Sequence, residues 1–292
     1  MRDPNPPAPS GGFRVVSWNI RAGIGPGEPF PPGWWRHVSL KRLEAIAAFA
    51  AGLEADVVTL QEVAILNADG ALLDQPSLLA TLTGLEVRYA ATHAYPLVEP
   101  ETDRSVGSAM WGNAILTREP LHDPFALGLP RAADDELVEP TGADHALAGI
   151  PYADVEPGHR EPRCAVGGRV ALPGGSVGIL TTHLTYIGRD QRARQAETIA
   201  ETTGMPPPLV VTGDFNAPIE AAELATLRAS LTDAFDAVGV AQGDDRRRSC
   251  GPWSIDHVLV RGLDVEGCRV AREAGDLSDH WPVVVDLRRP AH

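Results

Sequence analysis

The sequence predicts an α/β fold in which two β-sheets pack face to face with helices outside. Two observations predict it. Apolar runs alternate with amphipathic stretches in a strand–helix–strand rhythm that recurs in both halves of the chain. Six of those runs also end in polar, chemically capable residues: Val15 to Asn19, Val57 to Glu62, Ile179 to His183, Leu209 to Asn216, Trp253 to Val260 around Asp256 and His257, and Ser278-Asp279-His280 before Pro282 to Leu287. Six such ends suggest one cleft rimmed by strand termini, where side chains are exposed yet held still.

The elements follow in order. Residues 1–12 are rich in proline and glycine and read as a disordered tail, leaving one domain over 13–289. Phe13 to Asn19 has the pattern of a strand, and Ile20 to Trp35 that of a loop in which Trp34 and Trp35 either line a wall near the first strand end or cap the core. Ser39 starts a helix whose Leu43, Ile46, Ala47, Ala50 and Leu53 share one face. After the strand carrying Glu62 come a helix over Pro76 to Thr83, an extended stretch over Val87 to Ala94 and a strand over Gly112 to Arg118. Glu119 to Pro162 is long, weakly periodic and rich in Pro, Asp and Gly, as functional loops commonly are. Its His145, Tyr152, His159 and Arg160 are candidates for specificity, or incidental polar residues of a solvated loop. Cys164 to Val166 and Arg169 to Leu172 lead through Pro173-Gly174-Gly175 into the His183 strand as a hairpin. Helices are expected over Gly188 to Glu201 and Ala217 to Ser230, and closing strands over Asp256 to Arg261 and Pro282 to Leu287.

Composition narrows the function. The 292 residues are 43% hydrophobic and 22% charged, ordinary for a globular protein, and no apolar stretch approaches the length of a membrane helix. The N-terminal residues have no apolar signal core, which points to residence in the cytoplasm. Cys164, Cys250 and Cys268 form no CxxC pair and are odd in number, so a disulfide framework is not expected. A net charge of −14 argues against a protein that grips long nucleic acid, since phosphate contacts require a basic footprint. Only Arg246-Arg247-Arg248, Arg288-Arg289 and scattered arginines could supply one, whereas an acidic cleft attracts cations.

The polar set itself asks for a hard divalent ion. Glu62, Asn19, Asp214, Asn216 and Asp279 offer oxygen donors, which suits Mg²⁺ or Mn²⁺ sharing coordination with a substrate phosphate. Asp256 and His280 have the types for a carboxylate-oriented imidazole, while strand alternation sends His257 to the opposite face. No HxH or HExxH spacing supports a zinc hydrolase. Taken singly, Asn19 also suits a turn, Glu62 a solvated strand end, Asp214 a helix cap and Arg163 a structural ion pair.

At these residues the chain resembles the endonuclease/exonuclease/phosphatase superfamily of metal-dependent phosphoesterases, which includes relatives of pancreatic deoxyribonuclease. The motifs are SWN at Ser17 to Asn19, LQEV at Leu60 to Val63, GNAILTR at Gly112 to Arg118, THL at Thr182 to Leu184, GDFN at Gly213 to Asn216, IDHVLV at Ile255 to Val260 and SDHWPV at Ser278 to Val283, in the family's order from about Phe13 to Leu287. The resemblance implies mixed sheets in a four-layer α/β/β/α sandwich. It also implies in-line attack of water on phosphorus. In that scheme Glu62, Asn19 and Asp279 serve Mg²⁺ or Mn²⁺. Asp214 activates the water, Asn216 bonds the water or phosphate, and His183 and Asn113 donate to phosphate oxygens. Asp256 orients His280, and Arg163 is a further phosphate contact. A small phosphorylated substrate is the favoured partner, with DNA or RNA on the same site as the alternative and a catalytically silent binding module as a third reading. No membrane partner is expected.

Overall fold

The structure is a computed structural model that describes residues 11–28, 33–131 and 162–290. Most of the expected tail falls outside them, as do His145, Tyr152, His159 and Arg160. The elements are β1 (Phe13–Asn19), α1 (Leu40–Gly52), β2 (Val57–Ala68), β3 (Ala71–Asp74), α2 (Gln75–Thr83), β4 (Glu86–Val98), β5 (Ser105–Thr117), β6 (His122–Gly128), β7 (Cys164–Leu172), β8 (Gly175–His183), α3 (Arg189–Thr202), β9 (Leu209–Asp214), α4 (Ala225–Ser230), β10 (Thr232–Asp233), α5 (Ala234–Ala237), β11 (Asp256–Arg261), β12 (Asp264–Val270) and β13 (Val283–Arg288). One sheet runs β12-β13-β1-β2-β5-β4, with β3 paired to β2; the other runs β10-β11-β9-β8-β7-β6. Both are mixed, β1/β2 and β8/β9 being parallel and the other pairs antiparallel. The expected four-layer sandwich is the fold.

Strand alternation sorts the core into layers. Val15, Val57, Ile179, Val210 and Val258 point between the sheets. Their neighbours Val16, Val58 and Leu60 pack with Leu43 and Ile46 of α1, and Leu180, Val211 and Leu259 pack with Ala196 and Ile199 of α3. Along each parallel strand the inward face changes character toward the C-terminal end: Val15-Ser17-Asn19, Val57-Thr59-Gln61, Ile179-Thr181-His183 and Val210-Thr212-Asp214. The middle tier hydrogen-bonds across the interface, Thr212 Oγ1 to Thr59 Oγ1 at 2.8 Å and Gln61 Nε2 to Thr181 Oγ1 at 2.9 Å.

Several elements differ from expectation. The helix expected over Ala217 to Ser230 is confined to a 3₁₀ turn at Ala222–Leu224 and α4. Ala217 and Ile219 are drawn into the core beneath the second sheet, and the Ala217 carbonyl faces the His257 ring at 2.9 Å, so this stretch cannot coil. The long segment after Glu119 begins with β6, which pairs with β7. The two short runs before His183 are one strand, β7, continuous through Gly167 and Gly168; a Cβ on Gly167 would sit 2.5 Å from the Phe125 ring. Trp34 caps a satellite core, edge-on to Trp111 with ring centroids 4.9 Å apart.

Gly213, just before Asp214, has φ +149°, and a Cβ there would lie 2.0 Å from the Thr182 carbonyl oxygen. Neither backbone can retreat without breaking the β8/β9 ladder. Gly213→Ala is therefore expected to lower stability by about 3 kcal/mol, read as a drop in the urea midpoint; an unchanged midpoint would contradict the contact.

Candidate active site

Sheet register brings three site residues abreast: His183 of β8 pairs with Asp214 of β9, which pairs with Asp256 of β11. On the facing sheet, Asn19 of β1 pairs with Gln61 of β2. Glu62 reaches the same space through a bulge. Leu60 pairs with Ala114 and Val63 with Gly112, so Gln61 and Glu62 together oppose Asn113, and Glu62 adopts the left-handed φ of 56°. Such a bulge re-aims a side chain that strict alternation would send elsewhere. His280 lies just before β13; its amide bonds Ser278 Oγ, and its carbonyl accepts from Trp18 Nε1 at 2.9 Å.

Asp214 is the hub. Its Oδ2 lies 3.1 Å from Asn19 Nδ2, 3.5 Å from His183 Nε2 and 3.7 Å from His280 Nε2, while Oδ1 accepts the Asn216 amide at 2.9 Å. Asn19 Nδ2 also donates to Glu62 Oε1 at 3.0 Å and so bridges the carboxylates of opposite sheets. His280 Nδ1 is 2.8 Å from Asp256 Oδ2, an oxygen that also accepts from Ser249 Oγ at 2.6 Å. Asn216 Nδ2 donates to the Leu184 carbonyl at 2.9 Å, which identifies it as the amino group. Its second proton then goes to His183 Nε2, also at 2.9 Å. The ring proton of His183, assigned from these partners, is therefore on Nδ1, 3.9 Å from Glu62 Oε1.

Three amides named from the sequence are engaged with protein groups. The Oδ1 of Asn19 accepts from the Arg21 amide at 3.0 Å and its amino group faces the carboxylates, so it bridges acids rather than offering them a metal oxygen. Asn113 donates to the Cys164 carbonyl at 2.9 Å, tying the sheets together rather than facing a phosphate. Both amino protons of Asn216 are spent on protein, which leaves its Oδ1 as the group that could accept from a water. Arg163 is buried beside the cleft, its guanidinium 5.8 Å from the Tyr186 ring centroid. His257, as expected, faces away, toward Asp233 at 3.6 Å.

Burial and crowding of like charge perturb the acids. Burial, reinforced by the Asp279 charge, pushes Glu62 up to about 7. Burial and Asp256 push Asp214 up to about 6. Burial pulls His280 down, but Asp256 outweighs it and holds the imidazole well above its usual range, as a cation. Burial, then the charges of Arg163 and His280, hold His183 neutral. Among the described residues, Asp214, Asp256 and His280 offer ligand atoms within 4.8 Å of one another. A cationic imidazole already bonded to Asp256 repels a metal ion, so the open carboxylates of Glu62 and Asp279 suit a cation better. Asp279 is 37% exposed and lies 3.4 Å from Arg21 Nε. A buried carboxylate whose proton affinity is raised by burial and by a second carboxylate offers the hard oxygen donors that suit a divalent ion.

The profile of the Endonuclease/Exonuclease/phosphatase family matches residues 16–280. The chain belongs to this family. A UPF0294 protein of Vibrio cholerae is 29% identical over 145 residues, 47% of this chain and 49% of that protein, so the chain spans about half the length of the curated relatives it matches. Among solved structures, an endonuclease/exonuclease/phosphatase from Beutenbergia cavernae superposes with a TM-score of 0.69 at 22% identity, over 96% of this chain and 72% of that one. The catalytic domain of human Nocturnin, solved with a bound sulfate anion, gives 0.63 at 18% identity, over 96% of each. At these identities the likeness is one of fold. Members of the endonuclease/exonuclease/phosphatase family are hydrolases.

Ser249 carried no sequence signal, because a hydroxyl seven residues before Asp256 has no periodic relation to it. Ser278 lies within a quoted motif, and its hydroxyl reaches the Asn19 carbonyl at 2.8 Å.

The raised acids set a pH dependence. Unfolded, Glu62 and Asp214 titrate near 4.5 and 3.8; folded, near 7 and 6. Between those values the folded state binds more protons, so their contribution to stability falls as pH rises from about 4 to about 7. In chelator at pH 8, Glu62→Gln is expected to be more stable than the parent by roughly 1–2 kcal/mol, measured by urea denaturation. A less stable variant would mean that Glu62 carries no electrostatic strain.

Proposed function

We propose that this chain is a Mg²⁺- or Mn²⁺-dependent phosphoesterase acting on a small phosphorylated substrate, a diester or monoester, by in-line attack of water. The observation that carries the reading is the convergence on Asp214 of both histidines within 3.7 Å, with Glu62 bridged to it through Asn19. Glu62 and Asp279 would hold the divalent ion, which when bound supplies positive charge to the phosphoryl oxygens and acidifies water.

The chain's own groups supply the rest. Asp214, raised to about 6, ionises near neutrality yet still takes up a proton, which suits a base for the attacking water. His280, kept cationic and oriented by Asp256, faces charge that builds on phosphorus-bound oxygens. His183 offers its Nδ1 proton from a fixed neutral ring, and buried Arg163 adds positive charge behind it.

The fate of the basic residues favours a small substrate. Arg247 is buried against Asp233, Asp236 and the Val240 carbonyl. Arg246 pairs with Asp244, Arg248 with Asp245 and Arg288 with Glu266. Of the arginine runs that might have gripped a polyanion, these four members are thus neutralised by their neighbours.

A panel of plasmid DNA, RNA, nucleotides, sugar and inositol phosphates and phospholipids, each with Mg²⁺ and with Mn²⁺, tests the reading. Hydrolysis of small phosphoesters is expected; cleavage confined to DNA or RNA would replace it with a nuclease. Glu62→Gln is expected to weaken Mn²⁺ binding in titration calorimetry and to cut turnover by about 10²-fold or more. His280→Ala should abolish hydrolysis of bis(p-nitrophenyl) phosphate, and wild-type rates in that variant would remove the imidazole from the mechanism.

A further inference from the structure

Helix α3 turns charged and amide side chains inward: Arg192 and Gln195, three residues apart on one face, are both fully buried. Apolar residues would cover the second sheet with no desolvation cost, so the polar choice demands a partner. That partner is largely one residue, Thr185. Its amide donates to Gln195 Oε1 at 2.8 Å, and its carbonyl accepts from Arg192 Nη1 at 2.9 Å. Arg192 is held from behind by Glu223 at 2.9 Å, and Gln195 Nε2 donates to the Pro130 carbonyl at 3.0 Å, just past β6.

Thr185 lies two residues beyond His183. The intervening Leu184 donates its amide to the Asp214 carbonyl at 2.9 Å, and its own carbonyl accepts from Asn216 Nδ2. That last bond fixes which end of the Asn216 amide faces His183, and so which ring nitrogen of His183 carries the proton. Every main-chain polar group of Leu184 and Thr185 is therefore committed, Leu184 to the site and Thr185 to the helix.

We propose that Gln195 and Arg192 are positioning residues for the phosphoester chemistry: by gripping both backbone groups of Thr185 they fix the Leu184 carbonyl, and through Asn216 the donor geometry of His183. Neither side chain touches the substrate. The inference rests on the phosphoesterase reading, and amide exchange at Thr185 provides a readout independent of it.

Gln195→Glu and Gln195→Leu separate the tethers in the full-length chain. The glutamate keeps an acceptor for the Thr185 amide and loses the donor to Pro130; the leucine loses both. With bis(p-nitrophenyl) phosphate and Mn²⁺, Gln195→Leu is expected to lower kcat about 10- to 100-fold with KM little changed, because a misaimed donor fails where charge develops. It should also lose hydrogen-exchange protection at Thr185. Gln195→Glu should keep that protection and a kcat within about threefold of the parent. Wild-type kcat in the leucine variant, or equal losses in both variants, would overturn the proposal. If the leucine variant does not fold, Arg192→Lys decides, since a single ammonium cannot serve both Glu223 and the Thr185 carbonyl. Lower kcat at unchanged KM supports the role, and parental kcat overturns it. A parent that hydrolyses no phosphoester removes the phosphoesterase reading and the catalytic half of this proposal, while Thr185 exchange in the leucine variant still supports or overturns the tether.

Discussion

Two buried cross-sheet hydrogen bonds, Thr59 to Thr212 and Gln61 to Thr181, set the geometry on which the site depends. Besides these and the Asn113 bond to the Cys164 carbonyl, the sheets meet largely through valine and isoleucine, whose attraction is strong but non-directional and would tolerate sliding. A buried hydroxyl or amide does not tolerate it, because losing its partner costs about 1–3 kcal/mol of desolvation. The hydrophobic tier therefore supplies cohesion and the polar tier supplies register. Above that tier Asn19 and Glu62 come from one sheet, and His183, Asp214 and Asp256 from the other. Asn19 closes the stack by donating to acids on both sides.

Local stability is traded for that convergence. Glu62 and Asn216 both hold left-handed backbone, which a side chain of either type adopts at a cost. Asp256 Oδ1 is buried without a hydrogen-bond partner among the described residues, and burial with neighbouring acids raises the proton affinity of Glu62 and of Asp214. The surrounding structure over-determines these positions: the bulge is pinned by β5 on one side and by the Gln61 bond on the other. A divalent ion between Glu62 and Asp279 would relieve the repulsion that burial intensifies, so the strain and the proposed cofactor have one electrostatic origin.

Much of this was legible in the sequence, and the reason is periodicity. Strands alternate, so an apolar run ending in Asn, His or Asp announces a polar tip on a buried face; every such tip named from the sequence lies at the cleft except His257, which alternation had already sent away. The direction of an amide was not legible. Asn19, Asn113 and Asn216 carry both donor and acceptor, and the end each presents depends on a carbonyl or amide that folding brings near: Arg21 N, Cys164 O and Leu184 O. Position-specific backbone events were hidden for the same reason. The bulge at Glu62 and the uncoiled Ala217 to Ala221 stretch both answer to tertiary packing rather than to local pattern. The inward polar face of α3 was not legible either, because a buried arginine with a matched acceptor has the same composition as an exposed one.

Charge distribution bears on what such a cleft can admit. The chain carries −14 overall, and the surface arginines discussed above answer to nearby acids. Among the described residues, positive groups at the cleft include His280 and Arg163, both buried, and Arg21, which pairs with Asp279. A polyanion would approach a chain of net charge −14, and at a Debye length of roughly 8 Å repulsion acts over several neighbouring phosphates. On the proposed reading, a compact phosphoester would face that charge once and then enter a site where low polarity strengthens the attraction of His280 and Arg163. The buried arrangement of positive charge, more than its amount, is what supports a small substrate over a long one.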